Sequence, residues 1–167
     1  MSQLVFRGRV WKLGDNIDTD VITPGKYLIL PIDELKKYVL EPIDPEFSRK
    51  VKPGDILVAG RNFGCGSSRE QAPAALKALG ISVVIAESFA RIFFRNAISL
   101  GLPVMICDGI SEKVKEGEFL EVNLEIGEVR NLNTGQIIKT RILSKQMVEI
   151  LKAGGIIPLL KKKLSQC

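Results

Sequence analysis

An α/β fold with a mainly parallel central sheet is predicted by three features of this chain. Short apolar runs at 55–60, 82–86 and 102–107 have the length and continuity of strands covered on both faces. Two stretches of helical periodicity separate them, each stopped by a glycine, Gly80 and Gly101. Beyond residue 118, apolar and polar residues alternate on either side of Asn133-Thr134-Gly135, which marks a smaller antiparallel part.

Residues 4–11 alternate and read as a first strand, and Gly14-Asp15-Asn16-Ile17-Asp18-Thr19-Asp20 supplies turn formers before Val21-Ile22. Tyr27-Leu28-Ile29-Leu30 sets four large side chains between the Pro24-Gly25 break and a helix expected from Asp33, whose face Leu35, Tyr38 and Val39 would bury. These four are read as core or as a pocket wall. Segment 41–53, with three prolines and many charges, is expected to be a loop with one helical turn and little core to offer. Residues 71–79 form a helix. Ser88 is the expected N-cap of another running through Ile98. Right-handed helical crossovers between parallel strands then put loop 60–69 at the strands' C-terminal edge, where ligands bind. Runs 119–124, 129–132 and 136–141 make the antiparallel part. Ser144 caps a helix burying Met147, Val148, Ile150 and Leu151, and Gly154-Gly155 breaks it ahead of 156–160.

At 167 residues, 46% of them hydrophobic and 26% charged, the chain supplies one core, so a single domain over 1–167 is expected. No apolar stretch reaches the roughly 18–20 residues of a membrane span, and the N-terminus reads as a strand rather than a signal peptide. A soluble cytoplasmic protein follows. The net charge of +5 is scattered, with Lys161-Lys162-Lys163 the only basic run, which points to a solvated tail rather than to nucleic acid. Cysteines at 65, 107 and 167 form neither a disulfide framework nor a Cys-x-x-Cys pair, and histidine is absent. Histidine triads and histidine metal sites are thereby excluded, and no metal site is expected in this chain. Cys65 reads as a small loop-filling residue, and Cys167 as an exposed thiol able to form an adventitious disulfide.

The chemistry concentrates in Asn62-Phe63-Gly64-Cys65-Gly66-Ser67-Ser68-Arg69-Glu70, where a glycine-rich loop enters a helix. The glycines would let backbone approach a ligand, and the helix's first amides are unpaired donors, so a carboxylate or phosphate would be held there. Arg69 offers a planar fork for a carboxylate, Ser68 a neutral hydrogen bond, and Ser67 a hydroxyl at the tip. The plainer reading makes Ser67 or Ser68 an N-cap and pairs Arg69 with a nearby acid. A dinucleotide site is a further alternative, with Glu87 as the ribose acid, but Arg69 stands where a third glycine is needed. Asp15, Asp18, Thr19 and Asp20 lack the glycine and distal glutamate of a calcium loop, and read as a turn that hydrogen-bonds its own backbone and lines the cleft. Arg91 and Arg95 would share a helix face, supporting the site, an interface or only solvation.

Gly64-Cys65-Gly66-Ser67-Ser68-Arg69-Glu70-Gln71-Ala72, with Glu87-Ser88-Phe89-Ala90-Arg91-Ile92-Phe93 and Asp15-Asn16-Ile17-Asp18-Thr19-Asp20, closely resembles the small subunits of 3-isopropylmalate dehydratase, in the aconitase superfamily. The resemblance implies a three-layer β/β/α swivelling domain that docks over a large subunit as heterodimer or heterotetramer. That partner would carry a [4Fe-4S] cluster, and this chain none. It further implies a hydro-lyase, active only with its large subunit, that interconverts 2-isopropylmalate and 3-isopropylmalate through 2-isopropylmaleate in leucine biosynthesis. Ser67 matches the catalytic serine that acts as base in its alkoxide form, Ser68 its hydrogen-bonding neighbour, and Arg69 the arginine that grips a substrate carboxylate. Leu28, Ile29 and Leu30 stand where relatives acting on homoaconitate are expected to place arginine. An apolar segment there favours a branched alkyl group, with a homoaconitase or dual-specificity enzyme as the alternative, since Lys26 lies near.

Overall fold

Strand β1 (Val5–Lys12) takes part in two kinds of pairing, and the rest of the sheet is arranged around it in the computed structural model, which describes residues 4–166. Next come α1 (Thr19–Ile22), a 3-10 turn at Gly25–Tyr27, α2 (Ile32–Leu35), a second 3-10 turn at Lys36–Tyr38, and α3 (Phe47–Lys50). The parallel unit is β2 (Ile56–Ala59), α4 (Gln71–Leu79), β3 (Val83–Ala86), α5 (Arg91–Leu100) and β4 (Val104–Ile106). After α6 (Ile110–Lys113), the antiparallel part is β5 (Phe119–Asn123), β6 (Glu128–Asn131) and β7 (Ile137–Lys139), followed by α7 (Lys145–Ala153) and α8 (Ile156–Ser165).

The strands form one sheet in the order β4-β3-β2-β1-β5-β6-β7. The first half of β1 pairs antiparallel with β5, Val5 opposite Asn123 and Arg9 opposite Phe119, and its last residues pair parallel with β2, Val10 opposite Ile56. Burial follows that division. Val5, Arg7 and Arg9 are exposed on one solvated face, whereas Val10 and Trp11 are buried, as are all residues of β2 and β3 under the helices. The expected mixed α/β class is thus realised with both parts joined through β1. The sheet also curls until its two edges meet: the Arg141 amide donates to Ile106 O at 3.0 Å, and an Arg141–Asp108 ion pair of 3.1 Å lies beside it. Cys107 is buried at this seam, its Sγ 3.7 Å from Lys139 O, and burial pushes its thiol up to about 11.

The C-termini of α4, α5 and α7 and the N-terminus of α7 follow the expected signals. Gly80, Gly101 and Gly154 take the left-handed conformation after α4, α5 and α7, and Ser144 Oγ accepts from the Met147 amide at 3.2 Å. Lys77 Nζ donates to Leu100 O at 2.7 Å and Gly154 O at 3.3 Å, closing the ends of α5 and α7 together.

Segment 41–53 does contain one helical turn, α3, but it is not marginal to the core. Phe47 is buried and meets the Trp11 ring edge-on at 5.3 Å, filling the space under β1. A single aromatic among charges and prolines hides this in a composition-based reading. Trp11 Nε1 in turn donates to buried Asp55 at 2.7 Å, and Asp55 also accepts from the Lys52 amide. Trp11→Phe replaces the indole by a smaller ring and leaves that carboxylate one donor short, at an expected cost of about 1–3 kcal/mol for the donor with a cavity cost added to it. Urea denaturation checks it, through a lower midpoint at unchanged slope.

Candidate active site

The three segments that stood out in the sequence meet beyond the C-terminal ends of β1, β2 and β3. Where β1 and β2 leave the sheet their chains continue side by side: Gly60 donates to Gly14 O at 3.1 Å, Asn16 to Arg61 O at 2.8 Å, Gly64 to Ile17 O at 2.7 Å and Thr19 to Cys65 O at 2.8 Å. Asp15 Oδ1 accepts from the Arg61 amide at 2.7 Å. On the other side the Asn62 amide donates to Ser88 Oγ at 2.8 Å, Phe63 to Ser88 O at 3.1 Å and Ala90 to Phe63 O at 2.9 Å. Ser88 therefore does not cap α5, which starts at Arg91 after Ala90. The chain leaving β3 must first run along the glycine loop, and that non-local pairing outweighs the local capping signal.

Gly64 serves packing rather than a ligand. Its φ is +82°, and a Cβ there would lie 2.2 Å from Cγ of Phe93, which packs edge-on against Phe63. Gly66, at φ +98°, faces Thr19 Oγ1, which a Cβ would approach to 3.3 Å. Both glycines are thus used inside the fold, and α4 begins only at Gln71, eleven residues past β2's neighbour Gly60. A dinucleotide cradle needs its glycines at the strand-to-helix turn, and this loop does not place them there.

Ser67 and Ser68 are exposed, and neither caps α4: its N-cap is Glu70, with no side-chain cap. Among the described residues the amides of Ser67, Ser68 and Glu70 meet no protein acceptor, whereas the Arg69 amide donates to Ser67 O at 2.9 Å. The loop tip therefore presents free donors beside two hydroxyls.

What fixes this tip is α1. Asp18 caps it, Oδ1 accepting from the Val21 amide at 2.8 Å. Thr19 is buried, and its Oγ1 donates to Ser67 O at 3.0 Å while standing 3.3 Å from Ser67 Oγ. Asp20 Oδ1 accepts from Arg69 Nη1 at 3.0 Å and from the Gly25 amide at 2.9 Å, and Nη1 also donates to Thr23 O at 3.0 Å. The Arg69 side chain is 23% exposed, and its guanidinium bonds to Asp20 and Thr23 through Nη1. The hydrogen bond from Arg69, then that from Gly25, hold the exposed Asp20 carboxyl below the usual carboxylate range. Residues 15–20 read as a turn in the sequence, with nothing there to pair Thr19 with Ser67 or Asp20 with Arg69. Both partners lie almost fifty residues away, and only the exposed Ser-Ser-Arg run hinted that something must hold it.

Leu28, Ile29 and Leu30 are reached through Thr23 and Gly25, the residues against Arg69, yet they divide. Leu28 and Leu30 pack partly against the core, whereas Ile29 is 91% exposed. Tyr27 anchors the segment: it stacks on Tyr38 at 3.9 Å and donates to Glu41 Oε1 at 2.9 Å, a hydrogen bond that raises the phenol's pKa. Lys26 Nζ sits over the Tyr27 ring at 5.1 Å. An open groove of about 510 Å³ lined by Ile32, Ser68, Glu70, Gln71, Ala74 and Leu100 runs beside the loop. Arg91 and Arg95 stand exposed on α5. Among the described residues no group of three or more Cys, Asp or Glu is placed to hold a metal ion; Cys167 lies outside them.

Residues 19–108 match the aconitase C-terminal domain, a span that starts at Thr19 and runs through the parallel unit. The chain is 60% identical over 97% of both sequences to the isopropylmalate/citramalate isomerase small subunit of Methanocaldococcus jannaschii. It is 54% identical to a 3-isopropylmalate dehydratase small subunit of Methanopyrus kandleri, over 95% of this chain and 94% of that one. A crystal structure of a 3-isopropylmalate dehydratase from Methanocaldococcus jannaschii superposes with a TM-score of 0.91 at 47% identity, covering 97% of each chain. Among the described residues no helix is long and apolar enough to cross a membrane.

Because Asp20 is held below its ordinary 3.8, its pairing with Arg69 contributes stability above that value and loses it as pH falls through the lower, folded one. Carboxyl-carbon NMR titration of the free chain is expected to give an Asp20 midpoint below 3.8 that rises toward it in Arg69→Gln. An identical midpoint in both proteins would show that the contact does not form in solution.

Proposed function

We infer from a chain that belongs to the aconitase C-terminal domain family, and within it to the 3-isopropylmalate dehydratase small subunits, that Ser67, Ser68 and Arg69 are its contribution to an active site shared with a large subunit. As a member it supplies one part of a hydro-lyase that interconverts 2-isopropylmalate and 3-isopropylmalate in leucine biosynthesis. The observation that carries the site assignment is an exposed Ser-Ser-Arg tip held rigidly from below by Thr19 and Asp20.

Ser67 is the base in this reading. As an alkoxide, Oγ takes a proton from the carbon next to a carboxylate, the C–H electron pair becomes the new double bond, and hydroxide leaves the neighbouring carbon. In the second half the same oxygen returns the proton to that neighbouring carbon as hydroxide adds to the first, so the serine ends as the alkoxide it began as. A free serine hydroxyl is far too weak an acid for this. The unpaired amides of the loop tip, the N-terminus of α4 and Arg69 all favour the charged form, and their effect grows once a partner excludes water. Arg69, with Nη1 fixed by Asp20 and Thr23, turns its remaining donors to a substrate carboxylate. Ser68 borders the groove and hydrogen-bonds the same acid.

The [4Fe-4S] cluster implied by the family resemblance is assigned to the large subunit, since the described residues here give it no ligand set. Bound there, it would supply a Lewis acid for the departing hydroxyl. The two chains would assemble as a heterodimer or heterotetramer in the cytoplasm, where the substrates of biosynthesis are.

For the alkyl group we assign the segment Leu28-Ile29-Leu30, with Leu28 and Leu30 holding it in place and Ile29 free to make contact. The similar protein of Methanocaldococcus jannaschii is named for both isopropylmalate and citramalate, and an apolar wall accepts a methyl as well as an isopropyl group. Two extra carbons at about 0.8 kcal/mol each favour isopropylmalate by roughly tenfold, while homoaconitate would leave a carboxylate unpaired. A homoaconitase remains the alternative, through Lys26.

With the enzyme reconstituted from both subunits under anaerobic conditions, Ser67→Ala is expected to lower kcat/KM by about 10²–10⁴-fold. Full activity in that variant would make the chain a scaffold. Arg69→Lys is expected to raise KM roughly 10- to 100-fold by losing the fork. Ile29→Arg is expected to shift preference from isopropylmalate toward homoaconitate, and an unchanged ratio of kcat/KM values would remove the segment from the specificity assignment.

A further inference from the structure

Thr19 is buried beneath an exposed serine, and its hydroxyl has two acceptors within reach, the carbonyl and the hydroxyl of Ser67. Its hydroxyl carries a single proton, and that proton goes to Ser67 O, 3.0 Å away, since a carbonyl can only accept. Across the 3.3 Å between the two hydroxyl oxygens, Ser67 is then the donor and Thr19 the acceptor. In that arrangement the Ser67 hydroxyl proton points inward at Thr19, and its lone pairs face the open cleft. Loss of that proton leaves the Oγ–Oγ contact without a donor unless Thr19 turns.

Thr19 is free to turn at little cost, because Ser67 O keeps a second donor, the Arg69 amide at 2.9 Å. The rest of Thr19 is pinned. Its amide donates to Cys65 O at 2.8 Å, its carbonyl accepts from the Thr23 amide at 2.9 Å and from Thr23 Oγ1 at 3.2 Å, and the absent side chain of Gly66 leaves the approach open. Only the hydroxyl has a choice of acceptor.

We propose that Thr19 is a positioning residue for Ser67, its hydroxyl donating to the Ser67 carbonyl while the serine is protonated and swinging to Ser67 Oγ when the serine is an alkoxide. The proposal rests on Ser67 acting as the base, and adds to that reading where the base finds a donor from inside the protein. A donor aimed at a charged oxygen in a closed site is worth more than the same bond to a neutral carbonyl, so the gain falls on the reacting state and not on substrate binding.

The test is steady-state kinetics of the two-subunit enzyme carrying Thr19→Val, Thr19→Ser or Ser67→Ala. Thr19→Val, which keeps the shape and removes the proton, is expected to lower kcat by about 10- to 100-fold with KM within about twofold. The alkaline-rising limb of its kcat profile moves to higher pH, because the alkoxide has lost a donor. Thr19→Ser restores both. A loss shared between kcat and KM, with an unmoved pH limb, assigns Thr19 to the fold alone and overturns the proposal. Wild-type kcat in Thr19→Val beside an inactive Ser67→Ala overturns it while sparing the base; full activity in Ser67→Ala removes the reading beneath it. Should Thr19→Val fail to assemble, Thr19→Cys, with a weakly donating thiol, must show the same loss of kcat, and wild-type kcat there overturns the proposal equally.

Discussion

One helical turn, Thr19–Ile22, holds the tip of the glycine loop: two neighbours on that turn, Thr19 and Asp20, each grip one residue of the loop, Ser67 and Arg69. A turn of four residues has no stability of its own. It exists because Asp18 caps it and because the strands that precede both segments lie parallel and adjacent, so that their chains stay hydrogen-bonded for several residues past the sheet. The placement of the serine and the arginine therefore descends from the register of β1 against β2, Val10 opposite Ile56, through an unbroken series of main-chain bonds.

The same arrangement explains why the site is poised and open at once. Ser67 is exposed, Ile29 stands in solvent, and the adjoining groove is shallow, so water screens every charge at the tip. Arg69 is stored against Asp20 through one nitrogen, which fixes the guanidinium plane while leaving donors for an acid. A surface that covered the tip would raise the effect of each of these groups without moving any of them. Rigid placement in one chain and exclusion of water by another is a division of labour suited to an enzyme built from two subunits.

Much of the fold was readable locally. Apolar runs of five or six residues became β2, β3 and β4, left-handed glycines ended α4, α5 and α7 where expected, and Ser144 capped α7. Each of those signals acts within one helical turn or along one strand. What escaped a reading of the sequence is non-local. Phe47 looks like a stray aromatic until Trp11 is above it, Ser88 looks like a cap until Asn62 claims its hydroxyl, and Gly64 looks like a ligand cradle until Phe93 fills the space. The grip of Thr19 and Asp20 on the loop belongs to the same class, since neither residue type at that spacing announces a partner almost fifty residues on.

The most direct measurement is a crystal structure of the assembled two-subunit enzyme with a bound hydroxy-dicarboxylate. The account requires Ser67 Oγ and the free donors of Arg69 to face the ligand in the cleft between subunits, with Thr19 still against Ser67 and Asp20 still on Nη1. A Ser67 turned away from the ligand, or an α1 turn released from the loop on assembly, would contradict it.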